Sequence, residues 1–314
     1  MKILINARMD QEHVVKIQSG FPAAEVAQAE NPQEAGELAK EAEIIITWWS
    51  NFQPVFLDSP KLRWVHTLSA GIDGFLLPPV IEGRVLLTNS RGIHGIPISE
   101  HVFAMMLAFS RGLNQYGRQQ AQSKWQRVKL TELRAKTLGI VGLGSIGREI
   151  ACLGTAFGMR VLAVKRNPGP PPEGVNRVVG LEGLEMVLRE SDYLVLALPL
   201  TAETKCLIGA RQLELMKTTA ILINIARGEV VHQGQLAAAL KQGLIAGAGL
   251  DVFETEPLPS DSPLWQLDNC IITPHCAAHS PQYMTRATDL FCRNLDAFLQ
   301  GEPMPTLVDP KRGY

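Results

Sequence analysis

The sequence predicts an α/β protein made of two doubly wound parallel-sheet domains. Three observations predict it. Short apolar runs recur along the chain and alternate with stretches of helical composition, the pattern of parallel strands joined by crossover helices. One such run, around Leu138, Ile140 and Val141, leads straight into Gly142-Leu-Gly-Ser-Ile-Gly147, after which comes a helical stretch and then a second strand. A glycine- and proline-marked segment at 91–97 separates the strands before this unit from those within it.

Taken in order, residues 2–6 read as the first strand, 33–42 as a helix and 44–47 as a second strand. Two further strands are expected at 62–68 and 85–88. Residues 98–118 read as one long helix with Val102, Met105, Met106 and Phe109 on a single face. The glycine-rich strand and its helix follow, then a strand at 159–164. The loop Lys165-Arg-Asn-Pro-Gly-Pro-Pro-Pro172 comes next, and its prolines forbid a helix. Beyond it, helices are expected at 181–190, 211–216 and 235–242, alternating with strands at 193–198, 220–225, 246–252 and 270–273. A last helix at 283–300 carries Leu290, Phe291, Leu295 and Phe298 on one face. The strands of the glycine-rich domain end before it, so the tail is expected to return to the N-terminal domain. The two long helices would cross between the domains, which would close about hinges at 91–97 and 277–281.

In the glycine-rich motif, Gly142 permits a tight strand-to-helix turn, Gly144 a close approach to a pyrophosphate, and Gly147 close helix–strand packing. Free N–H groups and the positive end of the helix dipole would then face phosphates. The motif therefore points to a bound dinucleotide.

The 314 residues suffice for two domains with cores of their own. A formal net charge of −1 leaves no basic footprint for nucleic acid. The five cysteines show no C-x-x-C or zinc spacing, so they are expected reduced and mostly buried, with no metal site. The N-terminus turns polar too soon for a signal peptide, and the longest apolar stretch, 102–109, is too short to span a bilayer. A cytoplasmic protein without nucleic-acid or membrane partners is the expectation.

Three ionisable residues follow expected strands on the cofactor side of the second sheet: Arg227, Glu256 and His275. Arginine offers a planar fork for a carboxylate. Histidine titrates near neutrality and can exchange a proton with an alcohol. A carboxylate beside a histidine orients its ring and favours its charged form. Together these residue types suit hydride transfer to or from a small hydroxy or oxo acid.

With these residues in place, the chain resembles the D-isomer-specific 2-hydroxyacid dehydrogenases over essentially its whole length. The carriers are Ser69-Ala-Gly-Ile-Asp73, Gly142-Leu-Gly-Ser-Ile-Gly147, Leu198-Pro-Leu-Thr201, Asn224-Ile-Ala-Arg-Gly228, Gly249-Leu-Asp-Val-Phe-Glu254 with Glu256-Pro257, and Thr273-Pro-His275. The closing Val308-Asp-Pro-Lys-Arg-Gly-Tyr314 also resembles one bacterial branch of that family. The resemblance implies a Rossmann nucleotide-binding domain, residues 94–276, inserted in a smaller flavodoxin-like substrate domain, residues 1–93 and 277–314. Arg227 would hold the substrate carboxylate and carbonyl, with His275 as acid/base and Glu256 as its partner. Ser69, Ala70 and Gly71 would present backbone N–H groups to the carboxylate. Read from the residues alone, Trp48 and Trp49 are candidate pocket walls, with core packing the equal alternative for one of them. Cofactor contacts are implied for Gly142, Gly144, Ser145, Ile146, Gly147, Lys165, Arg166, Leu198, Pro199, Thr204, Ile225, Ala226, Arg227, Asp251, His275 and Ala277. Relatives acting on formate carry an amide at the Glu256 position, so formate is not the expected substrate. A homodimer is expected from the family and from the apolar face of the 98–118 helix.

The family usually places an Asp where this chain has Lys165-Arg166. Such a carboxylate accepts hydrogen bonds from a ribose 2′-hydroxyl and would repel a 2′-phosphate. A guanidinium and an ammonium would instead bind that phosphate. NADP(H) is therefore the expected cofactor, with NAD(H) as the alternative. The fold family also includes transcriptional corepressors that sense the dinucleotide. A peptide-binding corepressor would want disordered tails, which this chain does not show, so the enzyme reading is favoured.

Overall fold

The computed structural model describes residues 1–72 and 74–310; Asp73, residues 311–314 and the side chain of Trp49 lie outside the described residues. Parts of the Ser69–Asp73 and Val308–Tyr314 motifs, and the pocket-wall expectation for Trp49, therefore fall outside them. The chain divides into two compact units, Met1–His94 with the stretch from Ser280 onward, and Gly95–His279. The sequence placed these boundaries at 93/94 and 276/277.

The first unit opens with β1 (Lys2–Asn6), α1 (Gln11–Gly20), β2 (Glu25–Gln28), α2 (Pro32–Ala39), β3 (Ile44–Thr47), β4 (Trp64–Thr67), α3 (Pro78–Ile81) and β5 (Leu86–Asn89). The second contains α4 (Gly95–Ser110), α5 (Leu113–Ala121), β6 (Thr137–Val141), α6 (Ser145–Ala156), β7 (Arg160–Val164), β8 (Arg177–Val179) and α7 (Leu184–Glu190). It continues through β9 (Tyr193–Leu196), α8 (Ala210–Leu215), β10 (Ile221–Asn224), α9 (Gln233–Gln242), β11 (Gly247–Leu250) and β12 (Cys270–Ile272). The final helix, α10 (Tyr283–Gln300), belongs to the first unit.

Both sheets are wholly parallel. The first unit runs β2-β1-β3-β4-β5, the flavodoxin-like order. The second runs β12-β11-β10-β9-β6-β7-β8, the Rossmann order extended by one strand. Successive residues of a strand face opposite sides, and here both sides are covered. In β7, Val161 and Ala163 join the core under α4 and α6, whereas Leu162 and Val164 join the core under α7, α8 and α9. In β1, Ile3 and Ile5 pack with Phe291 and Leu295 of α10, while Leu4 packs with Ala35 and Ala39 of α2. Burial on both faces is why these strands read as apolar runs rather than alternations. Trp64 stacks on Phe291 at 5.2 Å between ring centroids, which seats α10 on the first sheet.

Three expectations need correction. The long helix over 98–118 is broken: α4 ends at Ser110, and Gly112, with φ of 66°, sits in the left-handed region before α5 begins. The apolar face of α4 packs into the second unit's own core, where Val102, Met105 and Met106 are buried and Phe109 is half-buried, so the three buried side chains are not surface for a second subunit. The cysteines are all free, but only Cys270 is buried; Cys276 and Cys292 are half-buried, and Cys152 and Cys206 are exposed. Among the described residues no helix is long and apolar enough to cross a membrane, and no cluster of metal-ligating side chains occurs.

Candidate active site

In the second sheet, strand order reverses between β6 and β9, so the loops after these strands flank the crevice where such folds take a ligand. Gly142 follows β6 with φ of 106°, and a Cβ there would lie 2.3 Å from the carbonyl oxygen of Ala197. A Cβ on Gly147 would lie 2.1 Å from the Gly142 carbonyl oxygen, so the first turn of α6 rests on the loop. Gly144 is different: nothing lies within 4 Å of a Cβ built there. That open side adjoins the N-terminus of the 12-residue α6, where the N–H groups of Ser145, Ile146 and Gly147 find no acceptor among the described residues. Unpaired donors, a positive dipole end and open space fit a pyrophosphate.

Leu198 and Pro199 follow β9. Thr204 is buried; its hydroxyl donates to the Pro199 carbonyl at 2.7 Å and accepts from the Thr201 N–H at 2.7 Å, which closes this loop on itself. After β7, the Lys165 N–H pairs with the Val179 carbonyl at 2.9 Å, while Arg166 is exposed. The Arg166 guanidinium donates to Glu203 Oε2 at 3.2 Å. Sequence reasoning found no acid on β7 or the start of its loop and missed Glu203, which reaches this place from the neighbouring loop after β9.

Arg227, Glu256 and His275 follow β10, β11 and β12, which are neighbours in the sheet. Parallel neighbours lie about 4.8 Å apart, so the three loops emerge side by side. His275 Nδ1 donates to Glu256 Oε2 at 2.7 Å, and Glu256 Oε1 accepts from the Phe253 N–H at 3.0 Å. The carboxylate is thus fixed from one side and holds the imidazole from the other, which leaves Nε2 as the outward nitrogen. His275 has φ of 50°, a left-handed conformation rare for a residue with a side chain, of the kind that occurs at functional sites.

What holds that conformation is Asp251, 2% exposed at the end of β11. Its Oδ1 accepts from Thr273 Oγ1 at 2.6 Å and from the Cys276 N–H at 2.9 Å; its Oδ2 accepts from the Ala277 N–H at 2.9 Å. The Asp251 carbonyl accepts from the His275 N–H at 2.9 Å. His101 on α4 adds a bond to Thr273 Oγ1 at 3.0 Å. The sequence named Asp251 for the cofactor but not for this fastening, and it did not single out His101. Burial, reinforced by the Asp251 carboxylate, pushes the Cys276 thiol up, so it stays protonated beside His275.

Arg227 lies between Ile225 and Ala226, both buried, and Gly228. Its Nη1 donates to the Ala226 carbonyl at 2.8 Å, and Asn224 Nδ2 donates to the Arg227 carbonyl at 3.0 Å. A Cβ on Gly228 would lie 1.9 Å from the carbonyl carbon of Phe253. Only glycine permits this contact, by which the loop bearing Arg227 rests on the loop bearing Glu256.

In the first unit, Trp48 follows β3 and the 69–71 loop follows β4, again at carboxyl ends. The loop's carbonyls are all tied inward. Ser69 O accepts from the Ser90 N–H at 3.0 Å, Ala70 O from Asn89 Nδ2 at 2.7 Å, and Gly71 O from Ser69 Oγ at 2.9 Å. The N–H groups of Ala70 and Gly71 have no acceptor among the described residues. In this loop, three occupied carbonyls thus lie beside two N–H donors with no acceptor among the described residues. Beneath it runs a buried relay: Trp64 Nε1 donates to Thr88 Oγ1 at 2.8 Å, and Thr88 Oγ1 lies 2.7 Å from His66 Nδ1. Burial lowers the His66 pKa to about 3, so this ring is a neutral structural element.

The sequence model of the family described as "D-isomer specific 2-hydroxyacid dehydrogenase, NAD binding domain" matches residues 103–277. A glyoxylate reductase of Korarchaeum cryptofilum (strain OPF8) is 39% identical over 264 residues, covering 81% of this chain and 78% of the relative. A crystal structure of a D-isomer specific 2-hydroxyacid dehydrogenase family protein from Aeromonas salmonicida subsp. salmonicida A449 superposes with a TM-score of 0.90 at 36% identity, covering 98% of this chain and 99% of that one. A D-isomer specific 2-hydroxyacid dehydrogenase from Xanthobacter autotrophicus Py2, solved with NADPH and MES, gives a TM-score of 0.86 at 31% identity, with 100% and 99% covered.

Proposed function

Because this chain belongs to the D-isomer specific 2-hydroxyacid dehydrogenase family, an oxidoreductase family acting on CH–OH donors, we propose that it reduces glyoxylate and similar small 2-oxo acids with NADP(H) preferred over NAD(H). The observation that carries the reading is the 2.7 Å bond from His275 Nδ1 to Glu256 Oε2, on loops beside the one that bears Arg227.

The nicotinamide cofactor, when bound, supplies the hydride equivalent. The chain does the rest. Arg227 binds the substrate carboxylate and draws electron density from the ketone oxygen. In the first unit, the Ala70 and Gly71 N–H groups are the proposed donors to a substrate carboxylate, and Trp48 is the proposed wall for a substrate side chain. Glu256 fixes the His275 tautomer, so that protonated His275 delivers its Nε2 proton to the carbonyl oxygen and takes it back in oxidation. Gly142, Gly144, Ser145, Ile146 and Gly147 hold the pyrophosphate. Leu198, Pro199, Ile225, Ala226 and Ala277 line the cofactor's path, and Thr204 shapes the loop at Pro199. Asp251 Oδ2 keeps acceptor capacity for the nicotinamide carboxamide.

The cofactor preference rests on Lys165 and Arg166. An exposed ion pair such as Arg166–Glu203 contributes little, typically ~0–1 kcal/mol. A 2′-phosphate carries nearly twice the charge of a carboxylate and accepts two guanidinium bonds, so it displaces Glu203. Wild type is expected to show higher kcat/KM with NADPH than with NADH. Arg166→Ala is expected to lose NADPH efficiency by about tenfold or more while NADH efficiency changes little, since charge-assisted bonds contribute ~1.5–3 kcal/mol. Equal losses, or a wild-type preference for NADH, would sink the NADP assignment.

A homodimer is also proposed, now on different side chains. Ile96, Leu113 and Leu130 are exposed, and Trp125 is fully so. A fully exposed tryptophan at the surface fits a subunit contact. Sedimentation should give a dimer mass; a monomer mass at every concentration would contradict it.

A further inference from the structure

We propose that Tyr283, at the start of α10, is a positioning residue that sets the 69–71 loop and the Trp48 wall for the substrate carboxylate. This rests on the reading of that loop as a carboxylate turn.

Three contacts converge on Tyr283, all within the first unit. Its hydroxyl donates to the Leu68 carbonyl, immediately before the loop. Its ring packs against the Trp48 ring, 5.4 Å between centroids and tilted by 31°. His94 Nε2 lies 2.9 Å from the Tyr283 hydroxyl oxygen.

The proton positions follow from the chemistry. A carbonyl only accepts, so the Tyr283 O–H points at Leu68, and its oxygen must accept from His94 Nε2–H. His94 is 5% exposed, and burial lowers its pKa to about 4, so the ring is neutral and carries one proton. That proton is on Nε2, which leaves Nδ1 as a buried acceptor with no partner among the described residues. Burial also pushes the Tyr283 phenol up, so it remains a donor. The arrangement is therefore directional: His94 orients the Tyr283 hydroxyl, and the hydroxyl pins the peptide that leads into the loop.

Leaving Nδ1 of His94 unpaired in the interior is unfavourable, and it is tolerated where the other nitrogen holds a partner in one orientation. A hydroxyl whose only role was packing would not need a dedicated donor. Leu68 N–H pairs with the Thr47 carbonyl at 2.9 Å, so residue Leu68 is held through both its backbone donor and its backbone acceptor. The ring contact then couples the position of Trp48 to that of the loop. A residue that fixes a carboxylate anchor acts alike on bound substrate and transition state, so its loss appears in KM rather than kcat.

The test is Tyr283→Phe, which keeps the ring and removes only the hydroxyl. With NADPH saturating, KM for glyoxylate should rise about fivefold, in line with one lost hydrogen bond. The turnover number should stay within about twofold and the NADPH Kd should not change. Oxamate, which mimics a 2-oxo acid, should bind the NADPH complex more weakly by the same factor. A Tyr283→Phe protein with a lower melting temperature but unchanged glyoxylate KM has lost packing only, and the proposal is overturned. Ala70→Pro, which removes one of the two open N–H donors, and the milder Ser69→Ala, which frees the Gly71 carbonyl, test the loop separately. If these raise KM and Tyr283→Phe does not, the loop reading stands and Tyr283 is not its positioner. If none of the three raises KM, the carboxylate does not bind at this loop, and both readings fail.

Discussion

His275→Ala is expected to lower kcat for 2-oxo acid reduction by about 10²–10⁴-fold while leaving NADPH binding nearly unchanged, the usual span for losing a positioned general acid. The size follows from the geometry. Glu256 holds Nδ1 and is itself held by the Phe253 N–H, so in the proposed reaction the Nε2 proton would be delivered from a fixed position. His101 does not take its place, being engaged with Thr273 Oγ1 at 3.0 Å. Rapid-mix kinetics and equilibrium NADPH titration check the two halves of the expectation. A variant that keeps wild-type turnover, or that loses NADPH binding in parallel with activity, contradicts the role.

Arg227→Ala should lower kcat/KM for glyoxylate by about 10²–10⁴-fold, with KM raised and kcat reduced together. Two charge-assisted bonds at ~1.5–3 kcal/mol each account for that range. Part of the loss belongs to the ground state, because the carboxylate loses its anchor; part belongs to the transition state, because charge developing on the ketone oxygen is no longer countered. Arg227→Lys should recover only part of it, since an ammonium cannot make the planar two-bond contact. The backbone around Arg227 is held independently by Asn224 and by the close contact of Gly228 with Phe253, so the loss is not expected to spread into stability. Steady-state kinetics with a thermal melt on the same preparation separate the two. Normal KM and normal turnover in Arg227→Ala would remove it from the site.

Much of this was legible in the sequence because the strands are buried on both faces. Ile221-Leu-Ile-Asn224 and Tyr193-Leu-Val-Leu196 announce themselves as apolar runs, and each proves to be an interior strand. The elements not anticipated are those at edges. Glu25-Val-Ala-Gln28 and Arg177-Val-Val179 are short, partly exposed edge strands with no run to read. Helix α1 buries only His13, Val14 and Ile17, too weak a stripe to stand out. The break in the 98–118 helix turns on one backbone angle at Gly112, which periodicity does not register.

The site divides in the same way. Arg227, Glu256 and His275 are visible because each follows a recognisable strand end. Their supports are not, because they act across long sequence separations. Asp251 fastens the segment bearing His275 from more than twenty residues away, Glu203 meets Arg166 from the next loop, and Tyr283 reaches Leu68 from the far end of the chain. Side-chain bonds of this kind depend on which strands become neighbours, and only the folded order of the sheet decides that.

The most direct test of the central claim is the reduction of hydroxypyruvate with NADPH, followed by chiral analysis of the glycerate formed. Consumption of one NADPH per glycerate, with D-glycerate as the sole product and no product from His275→Ala, is the predicted result. L-glycerate, or no NADPH consumption with hydroxypyruvate, glyoxylate or any other 2-oxo acid of a broad panel, would contradict it.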